Sequence, residues 1–270
     1  MKIGIIAGNR SLPVILSKTI KEKYQNSELV AICFNKETSP LIKRSADTTY
    51  WLRIGDLSGI KNIIQKEKLK ECIMAGQISP VRIFDRRNWD KELINLVAKT
   101  KDMRPHSIFS AIISYLESFG LKFIDSTLYL KESLSQDGIM NGLSIPETIE
   151  EDIEFGTKIA SRFVDLDIGQ TIVIKNKSVV ALEALEGTDS TIKRGYRLAG
   201  KGCVVIKFSK LNQDLRFDVP VVGISTLKLL RKIRASALVL ETGKTLILEK
   251  KEFLEISNNY SILVIGVNKL

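Results

Sequence analysis

The chain holds one histidine, His106, in 270 residues. A histidine-centred metal site or a Ser-His-Asp triad therefore has almost nothing to be built from. Cysteine is nearly as scarce: Cys33, Cys72 and Cys203 lie far apart, each within or beside an apolar run. That spacing excludes a zinc knuckle and reads as buried free thiols in a reducing cytosol. Aromatic residues make up only 7% and are not interleaved with basic ones, which argues against a base-stacking nucleic-acid platform. No run approaches the roughly 18–20 uninterrupted apolar residues that would span a bilayer. Nor is a secretory signal visible, because Met1-Lys2 leads straight into the short apolar stretch Ile3–Ala7.

A hydrophobic fraction of 44% and a charged fraction of 27% describe an ordinary globular chain, long enough for two domains. Lys and Arg outnumber Asp and Glu by 41 to 31, a net charge of +10 spread along the whole length. Such a field favours anionic partners: phosphorylated metabolites, an acidic lipid surface or nucleic acid, the last being the weakest of the three.

The first half alternates short apolar runs with helical periodicity. Ile3–Ala7, Leu29–Phe34, Glu71–Ala75 and Leu121–Ile124 read as strands. Val14–Tyr24, Ser58–Lys68, Leu93–Lys99 and Ile108–Phe119 read as helices. That alternation predicts βαβ units, a parallel sheet and a Rossmann-like fold over residues 1–135. Turn residues crowd into 136–147 (Asp137-Gly138, Asn141-Gly142, Pro146) and predict a linker. Residues 148–270 read as a second, mixed α/β domain with a hairpin around Lys175-Asn176-Lys177-Ser178.

Chemistry concentrates between Glu183 and Thr226, where acids, amides and cations crowd in short irregular runs. Acids there could hold a divalent cation, and Lys or Arg could hold phosphate. If Gln213–Val219 is extended, Asp214, Arg216 and Asp218 share one face at spacings of about 6.6 Å. The plainer alternative is an edge strand with ordinary ion pairs. Glu186-Gly187-Thr188-Asp189 precedes a helix: Thr188 or Asp189 could be its N-cap, or Glu186 and Asp189 could bind metal while the helix amides face phosphate. Arg194 and Arg197 lie on that helix. Asp165–Gln170 is either a helix stop or part of a polar pocket, and Asp152 and Glu154 read as solvated. The loop Gly8-Asn9-Arg10-Ser11-Leu12 could cradle a phosphate or be a plain βα turn, and it lacks the G-x-G-x-x-G pattern. His106 reads as a surface or capping residue, and Arg82, Arg86 and Arg87 as a solvated face or an anion contact.

Several segments, in this order, resemble one family. They are Ile5–Gly8 with Leu12-Pro13, Met74-Ala75-Gly76, Asp167–Gln170, Val179–Glu183 with Glu186–Asp189, and Lys207 through Gly223. The family is the UDP-2,3-diacylglucosamine pyrophosphatases of the LpxI type, enzymes of lipid A biosynthesis. The resemblance implies Mg²⁺-dependent hydrolysis of the diphosphate to UMP and 2,3-diacylglucosamine 1-phosphate by a cytoplasmic protein peripheral to the inner membrane. It implies Asp214, then Asp218, as the essential aspartate, with Asp214, Glu186 and Asp189 as the metal set. Gly8, Leu12, Gln170, Gly187, Thr188, Arg194, Lys207 and Arg216 are then expected to face substrate. The expected partners are the lipid-linked UDP-sugar and an anionic membrane surface, without nucleic acid; a homodimer is left open. Without the resemblance, the leading alternative is a noncatalytic nucleotide-sugar or dinucleotide sensor.

Overall fold

The computed structural model describes residues 1–78, 85–210 and 213–270. The chain divides into two compact units, one of residues 1–130 with Leu215–Phe217, the other of residues 131–214 with 218–270.

In the first unit, β1 (Lys2–Ala7), β2 (Glu28–Phe34), β3 (Thr48–Leu52), β4 (Glu71–Ala75) and β5 (Lys122–Phe123) form a parallel sheet in the order β3-β2-β1-β4-β5. This is the doubly wound Rossmann strand order without its sixth strand, with the switch point between β1 and β4. Helices α1 (Leu12–Lys23), α2 (Leu57–Lys66), α3 (Lys91–Val97) and α4 (Pro105–Glu117) connect the strands or follow them. β1 and β2 are apolar and buried almost throughout, as a parallel strand covered on both faces must be.

In the second unit, β6 (Gly138–Ile139), β7 (Thr171–Lys175), β8 (Ser178–Leu182), β9 (Val204–Lys207), β11 (Ala237–Glu241) and β13 (Leu263–Val267) make a mixed sheet, ordered β6-β13-β11-β9-β7-β8. β10 (Val221–Val222) and β12 (Leu246–Ile247) pair separately. Successive strand residues face opposite cores, as the pleat requires. Val204, Ile206, Ile172 and Val239 pack with Ile153, Ala160 and Phe163 of α5 (Glu147–Val164). Val205, Val173, Leu238 and Leu240 pack on the other side with residues of α6 (Thr188–Ala199), α7 (Ile224–Lys232) and α8 (Lys250–Asn259). Helices thus cover both faces of the sheet. The expected α/β class holds for both units.

Two local expectations are corrected. Residues 136–147 are built into the second unit rather than forming a linker. β6 pairs with β13, and the buried Asn141 side chain donates to Ser257 Oγ and Ile262 O at 2.8 Å each. Asp152 is buried, not solvated: its carboxylate accepts the N–H groups of Asn176 (3.0 Å) and Lys177 (2.6 Å) in the β7–β8 turn. Glu154, by contrast, is an exposed partner of Lys158. β3 went unforeseen because its five residues are all half-buried, without alternation.

Candidate functional site

Strand direction assembles the site. In the second sheet β7 runs antiparallel to both β8 and β9, while β9, β11 and β13 are parallel, so β8, β9, β11 and β13 point the same way. Their carboxyl ends therefore meet along one edge, with Lys207 opposite both Thr171 and Leu240. Ligands of open α/β sheets bind beyond such an edge.

A polar cluster occupies it. Thr188 Oγ1 lies 3.1 and 3.3 Å from the two carboxylate oxygens of Glu183, 3.1 Å from Lys207 Nζ and 3.2 Å from Thr171 Oγ1. A hydroxyl has one proton, and an ionised carboxylate can only accept. Thr188 therefore donates to Glu183 and receives from Lys207. The N-cap of α6 is Gly187, with φ of 79°, and no side chain caps the helix. The expectation that Thr188 or Asp189 caps the helix is thus corrected: both lie in its first turn. A lysine and a helix amino-terminus at one strand edge make a setting for an anion, beside the Glu183 carboxylate that holds Thr188.

Gly169 is required here for contact rather than for conformation, since a Cβ on it would run into the backbone carbonyl of Glu183. The close approach brings Gln170 to the cluster. The Gln170 N–H lies 3.4 Å from Glu183 Oε2, and its amide nitrogen lies 3.4 Å from Gln213 Oε1.

Glu186 and Arg194 engage each other. Arg194 donates to Glu186 Oε1 at 2.6 Å and to Leu182 O at 2.7 Å, while Thr191 and the Ala184 N–H also reach the carboxylate. The guanidinium first, and the backbone N–H bonds with it, hold the Glu186 carboxyl below its ordinary range. The structure therefore gives Glu186 a cation partner within the protein, and Arg194 an internal carboxylate.

The segment carrying Asp214 is a turn, not a strand: the Asp218 N–H donates to Asp214 O at 2.9 Å, and Leu215–Phe217 form the bend. The extended reading with three side chains on one face is corrected accordingly. The bond from residue i+4 to i brings the backbones of Asp214 and Asp218 together. Asp214 and Asp218 belong to the second unit. Arg216 belongs to the first, where it stands 3.4 Å from Glu117, and Phe217 packs against His106 and Phe109. Within the second unit, Gln213 Oε1 accepts the Lys210 N–H at 2.8 Å and its amide donates to Asp218 O.

In the first unit two amides of the β1–α1 loop are engaged within the protein. The Gly8 N–H donates to Ala75 O and the Asn9 N–H to Gln77 O, both at 2.7 Å. Gly76, with φ of 85°, permits this crossing, because a Cβ there would strike Asn9 O. Leu12 is a buried core residue of α1. Burial pushes the thiols of Cys33 and Cys72 up to about 12, so neither is a nucleophile at neutral pH. His106 is exposed at the start of α4. Arg86 and Arg87 are exposed and Arg87 pairs with Asp85, while Arg82, Ser79 and Pro80 lie outside the described residues.

The metal set fares differently from the anion cluster. Among the described residues, no three or more His, Cys, Asp or Glu gather closely enough to hold an ion. Asp214, Glu186 and Asp189 consequently do not form a ready-made cage. Residues not singled out beforehand are Glu183 as the acceptor of Thr188, Gln213 as the hub of the turn, and the Glu241–Ser209 pair behind it. A lone acid ending the buried run Ala237–Leu240 was the available signal for Glu241.

Comparison with known proteins agrees with this domain pattern. Residues 2–133 match the model of the LpxI N-terminal domain and residues 136–265 that of the LpxI C-terminal domain. The UDP-2,3-diacylglucosamine pyrophosphatase LpxI of Caulobacter vibrioides is 23% identical over 279 residues, covering 99% of this chain and 98% of that protein. Two solved structures show weak likeness. A glycinamide-RNase-transformylase T from Mycobacterium tuberculosis has 13% identity and a TM-score of 0.25, covering 68% of this chain and 44% of that one. The biotin carboxylase domain of a Hydrogenobacter thermophilus 2-oxoglutarate carboxylase has 14% and 0.30, covering 73% and 41%. The chain spans less than half of either structure, and neither likeness bears on its function. With family models matched across both halves of its length, the chain belongs to the LpxI family.

Proposed function

We propose that this protein hydrolyses the diphosphate of UDP-2,3-diacylglucosamine, giving UMP and 2,3-diacylglucosamine 1-phosphate, a step of lipid A biosynthesis. The observation that carries the reading is the match to both LpxI domains, together with a relative of that printed activity aligned over 99% of the chain.

The residues give the reading a physical form. A diphosphate repels nucleophiles through its own charge, so a catalyst must supply positive potential where charge builds up. Lys207 and the uncapped start of α6 supply it at one strand edge, with Thr188 accepting from the Lys207 ammonium. Asp214, with Asp218 as second choice, is the group proposed to orient and deprotonate the attacking water, and Gln170 and Gly187 line the approach. Arg194 acts at longer range, already facing a carboxylate. Mg²⁺ commonly binds through one or two carboxylates plus substrate phosphates. Lacking a ready-made cage, this chain would meet the ion together with the substrate.

The location proposed is the cytoplasmic surface of an anionic membrane. Among the described residues no helix is long and apolar enough to cross one. The test of the activity is direct: purified protein and the lipid-linked nucleotide should release UMP, and hydrolysis in heavy-oxygen water identifies the phosphorus attacked. Intact substrate after prolonged incubation with Mg²⁺ present would remove the proposal.

A further inference from the structure

Glu241 ends β11, and it is only 7% exposed. Burying a carboxylate is costly unless its oxygens are satisfied. Among the described residues no lysine, arginine or histidine pairs with it; instead Oε2 accepts both the Ser209 N–H (2.7 Å) and the Ser209 Oγ–H (2.6 Å). Its own backbone is pinned as well: Ser135 Oγ donates to Glu241 O at 2.5 Å, and Ser135 exchanges backbone bonds with Gly243 and Thr245 at 2.9 Å each. The carboxylate is therefore a fixed point at the carboxyl end of the sheet.

What it fixes is the start of the segment that carries Asp214. Ser209 is followed by Lys210, whose N–H donates to Gln213 Oε1; the Gln213 amide donates to Asp218 O; and the Asp218 N–H closes on Asp214 O. On the far side of Lys210, its ammonium lies 2.5 Å from Asp167 Oδ1. Contacts thus run without a gap from a buried strand end to the turn between Asp214 and Asp218. We infer that Glu241 is a positioning residue, which acts through Ser209 to hold the Asp214 turn in its working geometry. The inference rests on the proposed hydrolysis only for its kinetic readout.

Two readouts on the full-length chain test it. Each hydrogen bond to a charged acceptor is worth roughly a tenfold change in local opening. Glu241→Ala should therefore speed amide exchange in peptides covering 208–220 by about 100-fold, leaving β7 and β9 unchanged. It should also lower kcat for UMP release by about 100-fold, the order expected of a misplaced group, with KM within about threefold. Glu241→Gln keeps an oxygen that can accept both donors, so it should restore most of the exchange protection and of kcat. Ser209→Ala, which removes one bond and should fold in any case, should speed exchange by about tenfold. Wild-type exchange in 208–220 for Glu241→Ala or Ser209→Ala overturns the inference. So does Glu241→Gln as inactive as Glu241→Ala, because the carboxylate would then be acting by its charge. If the wild type itself releases no UMP, the proposed hydrolysis falls, while the exchange measurements still decide the role of Glu241.

Discussion

Replacing Asp152 by alanine should destabilise the second unit far more than an acid on a helix ordinarily would. The side chain is 3% exposed and accepts two backbone N–H groups from the β7–β8 turn, at 3.0 and 2.6 Å. The turn residues Asn176 and Lys177 both adopt positive φ, 50° and 52°, which side-chain-bearing residues seldom do without support. Bonds to a charged acceptor contribute about 1.5–3 kcal/mol each. Asn176 and Lys177 are exposed, so water takes over part of the lost bonding, and the lower bound for the pair, about 3 kcal/mol, is the expected loss. At about 2–4 °C per kcal/mol, the melting transition should fall by roughly 6–12 °C. Asp152→Asn keeps one acceptor oxygen and should lose about half as much. Calorimetry with far-ultraviolet circular dichroism measures both variants. An Asp152→Ala protein within about 1 kcal/mol of wild type, the size of an ordinary surface change, would refute the claim that this carboxylate holds the hairpin.

Other outcomes follow from the site. Asp214→Ala should reduce UMP release by about 10²–10⁴-fold, the range for a lost acid–base group, with an unchanged melting point; near-normal turnover would take Asp214 out of the mechanism. EDTA should abolish turnover and Mg²⁺ restore it. Mg²⁺ without substrate should leave the melting point where it is, because no three-acid group is assembled in advance among the described residues; a clear rise would reveal a protein-only site. The Glu186 carboxyl is held below its ordinary value, chiefly by Arg194, so its contribution is present above the unfolded pKa of about 4.3 and is lost as pH falls through the lower, folded value. Amides of residues 183–191 should accordingly lose exchange protection at the acid end of that window, and Arg194→Ala should weaken the pH dependence. Binding to anionic vesicles, expected from the net charge of +10, should be reversed by high salt; retention there would point to apolar insertion instead.

The two α/β layers were legible because buried parallel strands must be apolar end to end and their helices amphipathic. Ile3–Ala7 and Leu29–Phe34 fall within β1 and β2 for that reason. Misreadings arose where a local signal has two physical causes. Alternation of polar and apolar residues from Gln213 to Val219 fits a strand, but over seven residues it also fits a turn. There the Asp218 N–H bonds back to Asp214 O. Turn-forming residues at 136–147 look like a linker until Asn141 is seen to bond Ser257 and Ile262, more than a hundred positions away. Asp152 has the same problem: its partners lie 24 and 25 residues further on, and helix periodicity carries no trace of them.

The candidate site shows the same division more sharply. The sequence identifies Lys207 as the end of an apolar run and Thr188 as the start of a helix, but it gives no direction to the strands. Their meeting depends on β7 reversing between β8 and β9, which turns the ends of β8 and β9 to the same edge and brings Glu183, Thr188 and Lys207 together. Had β7 paired in parallel with β9, β8 would run the opposite way and carry Glu183 to the far edge of the sheet. The polar cluster is therefore a consequence of topology, and the Asn176-Lys177 turn that sets the β7–β8 part of the reversal is the one held by Asp152. On this reasoning, loosening the hairpin should also weaken phosphate binding at an edge that Asp152 never touches. Comparing the affinity of Asp152→Asn and wild type for UDP, at a temperature where both are folded, would decide whether the hairpin and the anion site are coupled.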